Sequence, residues 1–216
     1  MATKSFAIVL SGCGVFDGSE IHEAVMTMLA IDQHNCTYTI FAPDIDQMHV
    51  VNHLTKNVVN EKRNVLVESA RIARGNIKPL SEYEHTDFDG IIFPGGFGAA
   101  KNLSTYAING DKCHINSDVE KSIITTHKAN KPIGALCISP VIIAKVLGNI
   151  QVTIGSDKDT AESIEKMGAK HITTNREDVT VDKKNKIVTT PCYMVDSTIK
   201  NIHKGAFNLV KAMIEL

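Results

Sequence analysis

The sequence predicts a single domain of doubly wound α/β architecture, in which helices cover both faces of a mostly parallel sheet. Short runs rich in β-branched residues alternate with longer segments of helical periodicity, which is typical of βαβ units. The 216 residues are 43% hydrophobic and 22% charged, close to ordinary globular usage, which excludes disordered and coiled-coil classes. No repeat or Pro/Gly/Ser-rich linker divides the chain, so one domain over residues 1–216 is expected.

Individual elements follow from hydrophobic periodicity. Short β-prone runs predict strands at Phe6–Leu10, Thr37–Ala42, Gly90–Phe93 and Pro132–Leu136. Apolar residues near i, i+3, i+4 and i+7 predict helices at Glu20–Ile31, Glu61–Arg74, Ser117–Ala129, Pro140–Leu147, Thr160–Met167 and Ser197–Ile214. Two β-prone runs flank a charged turn in Val179–Thr190, which predicts a hairpin that caps the sheet edge.

Charge and hydropathy exclude several classes of partner. The 23 basic and 24 acidic residues leave a formal charge of -1, which gives no general attraction to nucleic acid or anionic lipid. The N-terminal apolar run is too short for the core of a signal peptide. The longest weakly charged stretch, residues 132–150, is interrupted by Gly134, Pro140, Lys145 and Gly148. We therefore expect neither nucleic acid nor a membrane as a partner.

The cysteine pattern predicts reduced thiols and a cytoplasmic location. There are five cysteines, an odd number without regular spacing, which argues against a secreted disulfide framework. They are Cys13, Cys36, Cys113, Cys137 and Cys192.

Cys137 is the strongest candidate for chemistry because it lies between a predicted strand and the helix that follows. Ligands of doubly wound sheets bind at the carboxyl ends of strands. A tight strand-to-helix elbow exposes a nucleophile, and the N-terminus of the next helix favours a thiolate. The alternative for Cys137 is a small buried hydrophobe. The other cysteines lack the elbow and are treated as structural.

A second turn follows the strand that ends at Phe93 and contains Pro94, Gly95 and Gly96. Adjacent glycines let backbone amides approach one point closely, which is how an oxyanion is stabilised. The amide of Ile138, directly after the elbow cysteine, is the expected second donor. An ordinary Pro-Gly-Gly turn is the alternative.

The turn after the first strand supplies candidate carboxyl groups. Asp17 and Glu20 match a helix capping box, which favours a structural role for Glu20. Glu23 lies one turn further along and could reach Cys137 as a proton shuttle. A solvated surface glutamate is its alternative.

Cofactor and metal motifs are weak. Gly12, Gly14 and Gly18 have the spacing G-x-G-x-x-x-G, which does not fit a dinucleotide site. His49 and His53 have i, i+4 spacing but no further ligand pattern, so neither cofactor nor metal is predicted.

Several long motifs together resemble one family. The elbow ALCISP, the loop FPGGFGAAKNLS and the opening VLSGCGVFDGSEIHEAV, with FAPD, VNHLT, NVLVESARIARG, VTIGSD and NKIVTTPCYM, span nearly the whole chain. They are similar to the ElbB-type glyoxalases, a branch of the PfpI/ThiJ group in the class I glutamine amidotransferase-like superfamily.

The resemblance implies a flavodoxin-like three-layer sandwich with Cys137 as nucleophile and an acidic partner on the first helix. Glu23 matches the partner's position best, and Glu20 is the fallback. Amidotransferases proper use a Cys-His-Glu triad. Here Gly155 stands near the position of the histidine that some relatives carry, which argues against amidotransferase and protease activity.

The implied reaction is cofactor-independent conversion of glyoxal to glycolate. Cys137 would add to an aldehyde, Glu23 would move a proton between carbon and oxygen, and water would release the product. The same activity could reflect deglycation of early adducts on amino groups. A redox sensor that uses the reactive cysteine is the alternative from another class, and a purely structural or interaction role is the third. Because relatives commonly form homodimers, a homodimer is expected.

Overall fold

The computed structural model describes residues 3–216, which contain eleven strands. The strands are β1 (Ser5–Val9), β2 (Thr37–Ala42), β3 (Val50–Val51), β4 (Val58–Val59), β5 (Lys78–Pro79), β6 (Gly90–Phe93), β7 (Ile133–Leu136), β8 (Gln151–Val152), β9 (Lys170–His171), β10 (Thr180–Asp182) and β11 (Ile187–Thr190). All four predicted strands are present.

The same residues form eight α-helices. They are α1 (Ile21–Gln33), α2 (Val65–Ile72), α3 (Phe97–Lys101), α4 (Tyr106–Asn109), α5 (Ser117–Lys128), α6 (Pro140–Leu147), α7 (Lys158–Lys166) and α8 (Ile199–Glu215). Within residues 3–216, no helix has both the length and the apolar character needed to span a membrane.

Seven strands make one central sheet in the order β10-β11-β7-β6-β1-β2-β5. Every pairing in this sheet is parallel except that of β10 with β11. The predicted α/β class is therefore confirmed, as is the hairpin that places β10 at the sheet edge. The second strand of the hairpin, β11, pairs with β7 and so lies beside the elbow strand.

The strands are apolar on both faces because helices cover both. Along β1, Phe6 and Ile8 pack into the core shared with α1, α2 and α8, whereas Ala7 and Val9 pack into the core shared with α5, α6 and α7. All four side chains are fully buried. A parallel sheet buried on both faces explains why its strands are continuous apolar runs rather than alternating ones.

Four of the six predicted helices, α1, α2, α7 and α8, start one to four residues away from the predicted position. Helix α2 begins at Val65, not Glu61, because the Asn64 side chain caps it by accepting a hydrogen bond from the Val67 amide at 3.0 Å. The Asp17–Glu20 capping box is wrong. Glu20 is itself the N-cap of α1, and the Asp17 carboxylate accepts a hydrogen bond from the Val51 amide at 2.7 Å.

Asn102, which is buried, holds the loop that carries the N-terminus of α1. Its Nδ2 donates to the carbonyls of Ser11 and Asp17 at 2.8 and 2.9 Å, and its Oδ1 accepts from the Met48 amide at 3.0 Å. Three polar groups from two chain segments therefore depend on one side chain.

We expect Asn102→Ala to lower the free energy of unfolding by about 3 kcal/mol, because buried polar groups that lose a partner retain their desolvation cost. Urea denaturation followed by circular dichroism measures this difference. Asn109→Ala, at an exposed position that ends α4, is the matched control and should change the value by less than about 0.5 kcal/mol. An equal effect of the two substitutions would contradict the role of Asn102.

Candidate active site

Cys137 lies at a sharp elbow between β7 and α6. Its φ of 59° falls in the left-handed region, which an L residue adopts at a cost of about 1 kcal/mol. The Cys137 amide donates to the Thr190 carbonyl of β11 at 3.0 Å, and the Ser139 hydroxyl donates to the Pro94 carbonyl at 2.8 Å. These bonds hold the cysteine at the carboxyl edge of the sheet, with 7% of its surface exposed.

Glu23 of α1 is fully buried and lies beside the side chain of Cys137, since a Cβ at Gly95 would be 2.7 Å from Glu23 Oε2 and 2.9 Å from the Cys137 sulfur. Its Oε2 accepts from the Gly95 amide at 3.0 Å, and its Oε1 accepts from the Tyr193 amide at 3.3 Å. Backbone amides from two different loops thus orient the carboxyl group toward the sulfur.

The fallback residue, Glu20, has a different position. As the N-cap of α1 it accepts a hydrogen bond from the Glu23 amide at 2.7 Å through its own Oε2. Of the two glutamates, Glu23 is the one whose carboxyl lies beside Cys137 and whose charge raises the pKa of that cysteine.

The three predicted oxyanion-hole residues divide into two roles. The amides of Gly96 and Ile138 face the Cys137 sulfur closely enough to lower its pKa. The amide of Gly95 is instead engaged by Glu23, so the structure does not support Gly95 as an oxyanion donor. A Cβ at Gly95 would overlap the Cys137 side chain and lie 2.7 Å from Glu23 Oε2. Gly95 therefore leaves the space in which the cysteine and the glutamate meet.

Burial governs the protonation of this pair. Desolvation, and next the nearby Glu20 carboxylate, raise the pKa of Glu23 to about 8, against the amide hydrogen bonds from Tyr193 and Gly95. Burial, and next the charge of Glu23, also raise the pKa of Cys137, whereas the Gly96 and Ile138 amides lower it. Both shifts favour the neutral forms, so near neutral pH the Glu23 carboxyl and the Cys137 thiol are both mostly protonated.

A cavity of about 500 Å³ opens onto Cys137. Its walls are largely apolar, with contributions from Val15, Phe97, Ala100, Tyr106, Ile138 and Met194. Its polar lining comes from Glu20, Asp157, Thr160 and Tyr193. A small carbonyl compound in this cavity can therefore reach the sulfur.

Comparison with known proteins decides the family. The chain is 47% identical to the mitochondrial ES1 protein homolog of Rattus norvegicus, over 97% of this chain and 83% of that protein. It is also 47% identical to the mitochondrial glutamine amidotransferase-like class 1 domain-containing protein 3 of Homo sapiens, over 97% of this chain and 82% of that protein. No protein-family model matches the sequence.

The chain belongs to the ES1 family. The predicted relation to the class I glutamine amidotransferase-like proteins is thereby confirmed. An isoprenoid biosynthesis protein with an amidotransferase-like domain from Ehrlichia chaffeensis superposes with a TM-score of 0.91 at 38% identity, over 98% of this chain and 99% of that one. A ThiJ/PfpI domain protein from Brachyspira murdochii gives 0.60 at 16% identity, over 99% and 98%, which supports the fold alone.

The cytoplasmic location predicted from the cysteines is wrong for the ES1 family. Both curated relatives are named mitochondrial proteins. Unpaired cysteines indicate a reducing environment, and more than one compartment provides it. The number of cysteines therefore does not distinguish one reducing compartment from another.

Sequence reasoning missed one part of the ES1-family site, the segment after β11. There the Tyr193 amide holds Glu23, and Cys192 is fully buried with a left-handed φ of 45°. The prediction took the hairpin Val179–Thr190 as a cap on the sheet edge and treated Cys192 as structural. However, β11 is parallel to β7, and the carboxyl end of any interior parallel strand adjoins the site.

Gly155 explains why this ES1-family chain has no histidine at that position. Its φ is 89°, and a Cβ there would lie 2.5 Å from Val195 Cγ1 and 3.0 Å from Pro191 Cβ. A histidine would meet both neighbours, so the position is closed to a triad base.

Of the remaining histidine candidates, His53 has structural partners, whereas the buried Nδ1 of His49 has no hydrogen-bond partner among residues 3–216. His53 Nδ1 is 3.0 Å from the Val51 carbonyl, and the Phe16 amide donates to His53 Nε2 at 3.2 Å. No group of three or more His, Cys, Asp or Glu side chains in residues 3–216 has a geometry that could hold a metal ion. His22 lies nearer the site, with its Nδ1 2.9 Å from the Tyr193 hydroxyl.

Proposed function

We propose that the protein is a cofactor-independent glyoxalase that converts a small 1,2-dicarbonyl, such as glyoxal, into a 2-hydroxy acid, such as glycolate. The observation that carries this proposal is the buried carboxyl of Glu23 beside a cysteine at a strand-to-helix elbow. The resemblance to ElbB-type glyoxalases supports the same reaction class.

In the first step the Cys137 thiol loses its proton to water, and the resulting thiolate adds to one aldehyde carbon. A carbon–sulfur bond forms while the carbonyl π electrons move to oxygen. The Gly96 and Ile138 amides, which lower the pKa of Cys137, are the expected donors to the oxyanion that develops. Protonated Glu23 then gives its proton to this oxygen, which yields a neutral hemithioacetal and a Glu23 carboxylate.

The second step moves hydrogen between carbons. The Glu23 carboxylate removes the proton from the sulfur-bearing carbon, and the electron pair forms an enediol with the neighbouring carbonyl. Return of a proton to the second carbon gives a thioester of a hydroxy acid. Water then breaks the carbon–sulfur bond, so glyoxal and one water become glycolate and a proton, with no net oxidation.

The experiment that tests this proposal is glycolate formation from glyoxal by the purified protein without glutathione. We expect Cys137→Ala to lower kcat/KM by at least about a thousandfold, because the nucleophile is lost. Cys36→Ala is the matched control, since Cys36 precedes β2 and its sulfur contacts the His34 carbonyl outside the site. Its activity should equal that of wild type.

Two outcomes would contradict the glyoxalase. Activity retained by Cys137→Ala would remove the cysteine from the reaction. Alternatively, absence of turnover in wild type with fast peroxide oxidation of Cys137 would favour the redox sensor.

A further inference from the structure

The cavity beside Cys137 is much larger than glyoxal. Glyoxal has four non-hydrogen atoms, and if each takes about the room of a liquid water, roughly 30 Å³, the molecule fills about a quarter of the cavity of about 500 Å³. Small-molecule sites normally enclose most of their ligand's surface. The dimensions therefore fit a dicarbonyl compound that carries a further substituent.

The walls define the chemistry of that substituent. Ile138 and Met194 line the cavity together with the half-exposed ring of Phe97. An apolar substituent would cover this ring and gain free energy from the area it removes from water. A polar substituent would find few partners there.

Charge in the cavity has one sign. The described residues that line the cavity include two carboxylates, Glu20 and Asp157. They include no Lys, Arg or His. Glu20 is 8% exposed, so water screens its charge less than that of a surface carboxylate. Asp157 caps α7 by accepting from the Thr160 amide at 2.9 Å, and hydrogen bonds from Thr160 lower the pKa of its carboxyl.

Two cationic groups lie close to this lining without being part of it. The Lys101 ammonium lies 5.2 Å from the Phe97 ring centroid and donates to the Phe16 carbonyl at 2.9 Å. His22 Nδ1 is 3.9 Å from Glu20 Oε1, and half of its side chain is exposed. Asp157 forms no ion pair with another described residue, so its charge is the less compensated of the two.

We infer that the active-site cavity selects an apolar-substituted 1,2-dicarbonyl whose far end is neutral or positively charged, and that Glu20 and Asp157 reject anionic ones. This inference rests on the glyoxalase proposed above. The reaction has the same stoichiometry as the proposed conversion of glyoxal. The sulfur adds to the aldehyde carbon of R–CO–CHO, hydrogen moves to the ketone carbon, and water releases R–CH(OH)–COO⁻ and a proton.

Three aryl substrates and glyoxal test the inference: phenylglyoxal, its para-carboxylate and its para-trimethylammonium derivative. We expect kcat/KM for phenylglyoxal to exceed that for glyoxal. We also expect the cationic substrate to exceed the anionic one by at least about tenfold, the effect of one or two carboxylates acting across a partly desolvated site.

Asp157→Asn identifies the source of the charge selection. Asparagine caps helices as well as aspartate does, so α7 should stay intact. The ratio of cationic to anionic kcat/KM should fall by about threefold or more. Asp159→Asn is the matched control, because Asp159 is exposed like Asp157 and carries the same charge on α7 but is not among the cavity-lining residues. Its ratio should equal that of wild type.

The outcomes separate the two proposals. If wild type turns over neither glyoxal nor any aryl substrate, the glyoxalase itself fails. If glyoxal is converted but the charged substrates react equally, or glyoxal exceeds phenylglyoxal, the glyoxalase stands and the cavity inference is overturned. Equal ratios in Asp157→Asn and wild type would remove Asp157 from selection.

Discussion

Replacing Glu23 by glutamine is expected to lower turnover while raising stability. Glutamine has nearly the same shape, and its amide oxygen can still accept from the Gly95 or Tyr193 amide. It carries no transferable proton, so both proton transfers of the proposed reaction are lost. General acid–base catalysis typically contributes a hundredfold to ten-thousandfold, and we expect kcat to fall by about that amount. Steady-state kinetics with glyoxal measures it.

The stability effect of Glu23→Gln has a defined pH dependence. Because burial raises the pKa of Glu23 from 4.5 to about 8, the folded protein keeps a proton that the unfolded chain releases between these values. The contribution of Glu23 to the free energy of unfolding is full below pH 4.5 and is lost as the pH rises to about 8. The loss amounts to about 5 kcal/mol, from 1.36 kcal/mol for each pKa unit.

Glutamine is neutral at every pH, so the variant should lack this loss and exceed wild type in stability at pH 8. Chemical denaturation between pH 5 and pH 8.5 measures the slope, within the range where the protein refolds reversibly. Glu84→Gln, at an exposed position, should change neither the slope nor kcat. A wild-type slope retained by Glu23→Gln would show that another group titrates.

Gly95→Ala is expected to abolish the site by adding one methyl group. The φ of Gly95 is outside the left-handed range, so alanine meets no backbone penalty of that kind. Its Cβ would instead overlap Cys137 and come 2.7 Å from Glu23 Oε2. Because the sulfur, the carboxyl and the Gly95 amide all meet there, a displacement of any of them separates nucleophile from proton shuttle. A misplacement of about 1 Å can cost a hundredfold in rate.

We therefore expect kcat/KM of Gly95→Ala to fall by at least about a hundredfold, and the free energy of unfolding to fall by about 1–3 kcal/mol from overpacking. The control is Gly75→Ala. A Cβ added at Gly75 meets nothing within 4 Å. Because the φ of Gly75 is 81°, alanine there destabilises the fold only through its backbone conformation, by about 1 kcal/mol. Its turnover should be unchanged. Full activity in Gly95→Ala would refute the close approach of the three groups.

Local patterns predicted the fold class because each strand of three or more residues and each long helix carries its own signal, whereas the two-residue strands, β5 of the central sheet among them, do not. The continuous apolar run at Phe6–Leu10 reflects burial on both faces, and the helical periodicity of α8 reflects one buried stripe. Helix starts were predicted less well. The start of α2 depends on one hydrogen bond, from the Val67 amide to the Asn64 side chain, and hydrophobic periodicity does not detect such a bond. The Asp17 carboxylate does not cap α1, because it accepts a hydrogen bond from the Val51 amide in a distant part of the chain.

The sequence by itself determined the sheet, the elbow position of Cys137 and the helix that carries Glu23, since all three follow from the order of residues along short segments. Only the tertiary structure decided how the neighbours act. In the folded chain the Gly95 and Tyr193 amides both donate hydrogen bonds to the Glu23 carboxyl. The Val195 side chain packs so close to Gly155 that a histidine does not fit there. The tertiary structure also buried Glu23 and thereby raised its pKa to about 8. These properties depend on groups from distant segments and on exclusion of water, and neither is encoded in a local pattern.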